Sequence, residues 1–158
     1  MIDKKKRNLF RRVSSPFKSF IYPPYFDKKE DFLKCIECKN KDCINACPEN
    51  IIETENNIPV IKFGINGCTF CDECATACPD EVLDIKFKKE KLNAEFIINP
   101  KNCLAWNQTM CFSCQDICEE NAIIYKGMFH PVIELEKCTA CGFCISVCPT
   151  YAIDVKII

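Results

Sequence analysis

Sixteen cysteines in a chain of 158 residues are the feature that most limits what this protein can fold into. That share is far above the usual share in a soluble protein. A chain of this kind can be a secreted disulfide scaffold, a structural zinc protein or an iron–sulfur protein. The spacing of the cysteines and the sequence around them distinguish these classes.

The cysteines fall into four groups that recur along the chain. The groups begin at Cys35, Cys68, Cys103 and Cys138, so the steps between them are 33, 35 and 35 residues. A fixed period of this length indicates an internal repeat. Each group continues into β-branched or alternating segments, which predict a unit of loop, short helix and strand. The predicted strands are 58–63, 85–87, 94–98, 123–125, 131–135 and 153–157.

The spacing within the groups is typical of cubane iron–sulfur clusters. The second and fourth groups match the bacterial run C-x2-C-x2-C-x3-C-P, in which three cysteines bind one cluster and the fourth reaches a second cluster. The first group is two residues longer, and the third is five residues longer and lacks the proline. All four keep the final x3 step, which predicts four [4Fe–4S] clusters, with a three-iron, labile or unoccupied site as the alternative at the third group. The predicted ligands are Cys35, Cys38, Cys43, Cys47, Cys68, Cys71, Cys74, Cys78, Cys103, Cys111, Cys114, Cys118, Cys138, Cys141, Cys144 and Cys148.

The other two cysteine-rich classes fit less well. Zinc sites combine separated cysteine or histidine pairs, and His130 is the one histidine in the sequence. A disulfide scaffold requires export, but Arg11 and Arg12 are followed by Val13-Ser14-Ser15 instead of an apolar signal region. We therefore expect a cytoplasmic protein with no integral membrane segment. No catalytic triad, phosphate loop or flavin fingerprint is visible, so nothing in the sequence predicts a substrate-transforming site, and we expect an electron carrier and not an enzyme.

These units predict an α+β fold of two tandem modules like bacterial 2[4Fe–4S] ferredoxins, with short helices and short antiparallel hairpins. One unit is too small for its own core, so two units would share two clusters. The expected division is a basic, partly disordered leader at 1–34, a first module at 35–98 and a second at 99–158. Adjacent pairing would bring Cys78 to the first group and Cys47 to the second. Nested pairing, first unit with fourth, is the alternative.

Charge is distributed unevenly along the chain. Residues 1–26 carry a net charge of +6, and the remaining residues carry −7. The acidic body makes nucleic acid a poor partner, because its phosphates would be repelled. The leader is either a solvated tail or a docking arm. For the second possibility, Arg11, Arg12, Tyr22 and Tyr25 are the candidate partner-binding residues.

The third group and the leader also carry a family resemblance. The opening Cys103-Leu-Ala, the close Cys114-Gln-Asp-Ile-Cys118 and the leader motif Tyr22-Pro23-Pro24-Tyr25 resemble the NapF ferredoxin-type proteins of periplasmic nitrate reductase systems. The likeness spans almost the whole chain. The longer step from Cys38 to Cys43 and the Lys4-Lys5-Lys6 start depart from that pattern.

The resemblance implies a function that spacing alone does not. It implies a cytoplasmic protein that binds the precursor of the molybdenum-containing catalytic subunit of nitrate reductase and assists its maturation before export, by supplying electrons or assisting its iron–sulfur site. The alternative is a polyferredoxin subunit that carries electrons in an anaerobic oxidoreductase complex. A third possibility is that the clusters only stabilise the fold.

Overall fold

A computed structural model describes residues 20–158, so Arg11 and Arg12 lie outside the described residues. These described residues form single-turn helices and three separate two-stranded antiparallel sheets, which confirms the α+β class. The helices are α1 (Asp42–Asn45), α2 (Glu73–Thr76), α3 (Ser113–Asp116) and α4 (Phe143–Ser146), with two 3-10 helices at Lys29–Ile36 and Ile85–Phe87. The strands are β1 (Ile52–Glu55), β2 (Ile58–Ile61), β3 (Ala94–Ile98), β4 (Ile123–Tyr125), β5 (Pro131–Ile133) and β6 (Ile153–Ile157).

The four α-helices occupy the same place in each repeat. Each contains the third cysteine of its group and ends before the fourth, where the sequence predicts one or two helical turns. Helices of four residues are not stable alone, because nucleation costs more than so few hydrogen bonds return. They are held instead by packing in pairs, with α1 against α2 and α3 against α4.

Two of the sheets are local hairpins. β1 pairs with β2 across Asn56 and Asn57, whose φ angles of 52° and 64° match the left-handed turn that hairpins favour. β4 pairs with β5, and the backbone N–H of Lys126 donates to the His130 carbonyl at 2.9 Å where the connection closes.

One predicted strand is wrong. Residues 85–87 form a 3-10 helix, because the Asp84 carboxylate accepts a hydrogen bond from the Lys86 N–H at 2.9 Å and turns the chain. The short apolar alternation of Ile85 and Phe87 is thus overridden by a local cap.

The third sheet moves the boundary between the two halves of the protein. The sequence places β3 at the end of the first module, but β3 pairs with β6 over five residues, from Ala94 opposite Ile157 to Ile98 opposite Ile153. This pairing joins β3 to the last strand of the second predicted module, whereas the predicted boundary at 98/99 separates the two strands. We call residues 20–91 the first half and residues 92–158 the second half.

The described part of the leader belongs to the folded body. Tyr22 and Tyr25 are 0% and 1% exposed, so neither ring is available as an anchor for a partner, and that prediction is wrong. Tyr22 stacks on Phe32 with ring centroids 4.5 Å apart, and Phe26 packs on both rings. Burial of large aromatic rings is strongly favourable, which explains why residues 20–26 follow the core and not the solvent.

Backbone hydrogen bonds also join residues 20–26 to the rest of the first half. The Ile61 N–H donates to the Ile21 carbonyl, and the Asp84 N–H donates to the Tyr25 carbonyl, each at 2.7 Å. The segment thus acts as an additional edge beside β2. From residue 20 onwards, no helix is both long enough and apolar enough to cross a bilayer.

Candidate iron–sulfur sites

The structure gathers the sixteen cysteines, none of them paired in a disulfide, into four sets of four. In every set, three cysteines come from one group and the fourth comes from the neighbouring group of the same half. Site I contains Cys35, Cys38, Cys43 and Cys78; site II contains Cys47, Cys68, Cys71 and Cys74; site III contains Cys103, Cys111, Cys114 and Cys148; and site IV contains Cys118, Cys138, Cys141 and Cys144.

In site I, the thiols are close enough to affect each other's acidity. Burial, followed by the negative charge of Cys43 and Cys78, raises the pKa of Cys35 to about 12. Burial and then Cys78 and Cys38 raise the pKa of Cys43 to about 11. Cys78 therefore lies with the first group, as adjacent pairing predicts and nested pairing does not.

Site II surrounds a cavity. All four of its cysteines line this cavity, together with apolar side chains of β1, β2 and the leader, among them Ile52, Ile61 and Tyr25. Burial, and then the neighbouring thiols led by Cys68, raises the pKa of Cys74. The site is thus enclosed by hydrocarbon on the side that faces the core.

Sites III and IV repeat this arrangement in the second half. Burial and then Cys103, Cys111 and Cys148 raise the pKa of Cys114 to about 11, which places the last cysteine of the fourth group in site III. The four cysteines of site IV line one larger cavity, so the last cysteine of the third group, Cys118, lies in site IV.

The backbone around the fourth cysteine is the same in all four units. Three residues after it, the chain has a left-handed conformation at Asn50, Glu81, Asn121 and Tyr151, with φ between 49° and 52°. Each of these residues donates its N–H to the carbonyl of the preceding fourth cysteine, at 3.0 to 3.4 Å. The third unit makes this turn without the proline, so the proline is not required for it. Reasoning from sequence missed the turn, because none of its four left-handed residues is a glycine.

The turn aims backbone donors at sulfur. The Sγ atoms of Cys78, Cys118 and Cys148 accept hydrogen bonds from the N–H groups of Leu83, Ala122 and Ala152, at 3.5, 3.4 and 3.2 Å respectively. Such bonds stabilise negative charge on a cysteine ligand and thereby tune the reduction potential of the cluster that it binds.

The enlarged loop of the third group is organised by side chains. The Asn107 amide donates to the Cys103 carbonyl at 2.8 Å and to the Pro100 carbonyl at 3.1 Å. The indole N–H of Trp106 donates to the Pro131 carbonyl at 3.0 Å, and the Tyr125 hydroxyl donates to the Cys111 carbonyl. Side-chain hydrogen bonds therefore hold the enlarged loop in place at both of its ends, Cys103 and Cys111.

This donor chemistry fits a cubane. Four crowded, partly buried thiols repel one another when ionised, and bound iron relieves that repulsion by replacing their protons. Among residues 20–158, no group of three or more His, Cys, Asp or Glu side chains is arranged to hold a single metal ion. A cubane needs a wider arrangement, since each thiolate binds a different iron atom.

Comparison with known proteins places these sites in a family. The model of a 4Fe-4S dicluster domain matches residues 34–82, which span the first two cysteine groups, and the model of a 4Fe-4S binding domain matches residues 131–154. The ferredoxin-type protein NapF of Escherichia coli K12 is 32% identical over 98% of this chain and 96% of its own length. The chain belongs to the NapF family of ferredoxin-type proteins. The predicted resemblance is thus confirmed.

Other relatives are also ferredoxin-type proteins. The NapF protein of Haemophilus influenzae is 31% identical over 86% of this chain and 78% of its own length. The methylamine utilization ferredoxin-type protein MauM of Methylorubrum extorquens is 26% identical over 80% of this chain and 66% of its own length. This NapF-type chain is therefore an iron–sulfur protein with [4Fe–4S] chemistry.

Proposed function

We propose that this chain holds four [4Fe–4S] clusters, one in each of sites I to IV, and acts as a maturation factor for the catalytic subunit of periplasmic nitrate reductase. The observation that carries the proposal is the exchange of the fourth cysteine between neighbouring groups, which occurs in both halves. That exchange is the ligand pattern of paired cubanes in bacterial ferredoxins. On this basis each half is one 2[4Fe–4S] module, and all sixteen cysteines are ligands.

The clusters would supply one-electron transfer, and the protein would supply their binding and environment. Thiolates hold the iron, backbone N–H groups of Leu83, Ala122 and Ala152 stabilise ligand charge, and the apolar wall of site II limits water. On this proposal the chain acts on another protein by binding it and delivering electrons.

The biological role rests on the relatives. NapF and the ferredoxin-type protein NapG of Haemophilus influenzae are both similar to this chain, which supports a place in a nitrate reductase system. The partner is the unexported precursor of the molybdenum-containing subunit, and the meeting place is the cytoplasm. The rival function is that of a carrier that exchanges electrons with the mature enzyme in a larger oxidoreductase complex.

The two functions are separated by what the protein binds. Anaerobic affinity isolation of the full chain from its native host should recover the catalytic-subunit precursor with its export signal still attached. A pure carrier would instead reduce or oxidise the mature enzyme and leave the precursor behind. Recovery of mature enzyme alone, with rapid electron exchange, would reject the maturation role.

Recognition by the leader is tested in the same assay. Replacing Arg11 and Arg12 with alanine should weaken precursor binding by about 1–3 kcal/mol, the scale of hydrogen bonds to charged groups. The matched control, Lys101→Ala with Lys126→Ala, removes the same charge from exposed positions of the second half. Equal binding by both double variants at low salt would place recognition on the acidic body.

A further inference from the structure

The two halves meet at the cysteine loops themselves. The backbone N–H of Cys68 in site II donates a hydrogen bond to the carbonyl of Cys141 in site IV at 2.7 Å. This bond joins two predicted cluster ligands of different halves without an intervening side chain. Cys68 also lines the large cavity formed around site IV.

Glycine makes this approach possible on both sides. A Cβ atom on Gly67 would lie 2.6 Å from the Cys141 carbonyl oxygen and 2.7 Å from the Phe143 nitrogen, both of them backbone atoms. A Cβ atom on Gly142 would lie 2.2 Å from the ring of Phe63. Phe63 in turn packs edge-on against Phe96 of β3, with centroids 5.4 Å apart. Any side chain at Gly67 would force the two backbones apart.

Neighbouring thiols give the order of the four sites. Within the first half, Cys43 of site I is a neighbour of Cys74 of site II. Within the second half, Cys114 of site III is a neighbour of Cys144 of site IV. Cys141 is a neighbour of Cys68 across the halves. The resulting series is I, II, IV, III, with sites I and III at its ends.

We infer that the contact of Gly67 and Cys68 with Cys141 and Gly142 is the electron path between the two halves, so that electrons enter and leave at sites I and III. This inference rests on the proposed occupancy of all four sites. In the step itself, one electron leaves a reduced centre in one half and reduces an oxidised centre in the other half. No covalent bond forms or breaks, and no proton needs to move.

The test compares two glycine variants of the anaerobically purified full chain. Gly67→Ala places a methyl group against backbone of the other half, whereas Gly64→Ala places it in open space. In dithionite-reduced protein, we expect Gly67→Ala to lose the magnetic interaction between the halves, seen as slower electron-spin relaxation, and to keep the interaction within each half. Gly64→Ala should match the unaltered protein. Unchanged relaxation in Gly67→Ala with full iron content would overturn the inference.

A second measurement, amide hydrogen exchange, uses the unaltered protein and so does not depend on whether a variant folds. In the unaltered protein, the Cys68 amide hydrogen should exchange with solvent as slowly as the amides of β3, because its acceptor lies in the other half. Rapid exchange at Cys68 would overturn the inference even if Gly67→Ala proved unable to retain iron. Iron analysis of the unaltered protein separates failure of this inference from failure of the proposed function. A chain with fewer than four clusters would fail the iron analysis, whatever the exchange rate at Cys68.

Discussion

The backbone N–H of Asp72 donates a hydrogen bond to the Tyr25 hydroxyl at 3.0 Å, across 47 residues of sequence. Asp72 lies between Cys71 and Cys74 of site II and has a left-handed backbone with φ of 69°. The Tyr25 ring is almost completely buried, so its hydroxyl is held in place. A residue that the sequence suggests as a partner anchor therefore stabilises a cysteine loop instead.

Tyr25→Phe removes this acceptor and leaves the ring in place. We expect the free energy of unfolding to fall by about 1 kcal/mol, the usual net contribution of one hydrogen bond, and site II to lose iron first. The denaturant midpoint of the anaerobic protein and its iron content measure both effects. Tyr151→Phe is the control, because Tyr151 is 82% exposed. Equal midpoints for the two variants would mean that the bond contributes nothing.

Tyr22→Ala should destabilise the fold. Tyr22 is fully buried, and truncation of a large buried aromatic ring costs about 3–5 kcal/mol. Thermal unfolding followed by circular dichroism should therefore shift to lower temperature. Ile65→Ala should have little effect, since Ile65 is 87% exposed. A Tyr22→Ala protein that unfolds at the same temperature as the unaltered protein would show that the ring contributes little to the stability of the fold.

Asn107→Asp should affect site III selectively. The amide of Asn107 donates to backbone carbonyls, including that of Cys103, whereas a carboxylate cannot donate and would repel them. We expect about one cluster of four to be lost on brief exposure to air, measured as iron released per chain. Asn56→Asp makes the same charge change in the β1–β2 turn and should lose none. Identical iron loss from both variants would contradict the assigned role of Asn107.

Gly142 and Gly127 allow backbone strain to be separated from steric contact. Both have positive φ, 98° and 76°, but of the two only Gly142 has a neighbour, Phe63, within 4 Å of the position that a Cβ atom would take. Alanine at either position should cost about 1–2 kcal/mol for the left-handed backbone. Gly142→Ala should lose more stability than Gly127→Ala, measured from denaturant midpoints. Adding Phe63→Leu to Gly142→Ala should recover part of the difference in stability between the two glycine variants. Equal losses of stability in Gly142→Ala and Gly127→Ala would show that the Phe63 ring moves aside at no cost.

Iron removal should unfold most of the chain. Cys35, Cys43, Cys74, Cys103 and Cys144 are buried in the core, so the ligands and the apolar side chains belong to one packing unit. Binding of the metal and folding are then coupled. The untreated protein should contain about 16 iron atoms per chain, as four cubanes require. Chelation should change its far-ultraviolet circular dichroism to that of a largely unfolded chain, and stoichiometric zinc with little iron would end the iron–sulfur interpretation.

Local features of this protein can be predicted because short spacings carry them. The C-x2-C-x2-C-x3-C run indicates cubane chemistry since the ligands of one loop lie within a few residues of each other. The strands at 94–98, 123–125 and 153–157 have the bounds that the sequence predicts, because β-branched and aromatic residues together make up most of each strand. The cap at Asp84 escapes prediction, since it depends on one side-chain bond that the apolar pattern does not encode.

The sequence by itself therefore determined the four cysteine groups, their chemistry and most of the short elements around them. Only the tertiary structure decided which elements meet: β3 with β6, Tyr25 with Asp72, and Cys68 with Cys141. Each of these contacts joins residues at least 47 positions apart. Their energy comes from packing and hydrogen bonds between surfaces that exist only after the local units have formed, so no local pattern specifies them.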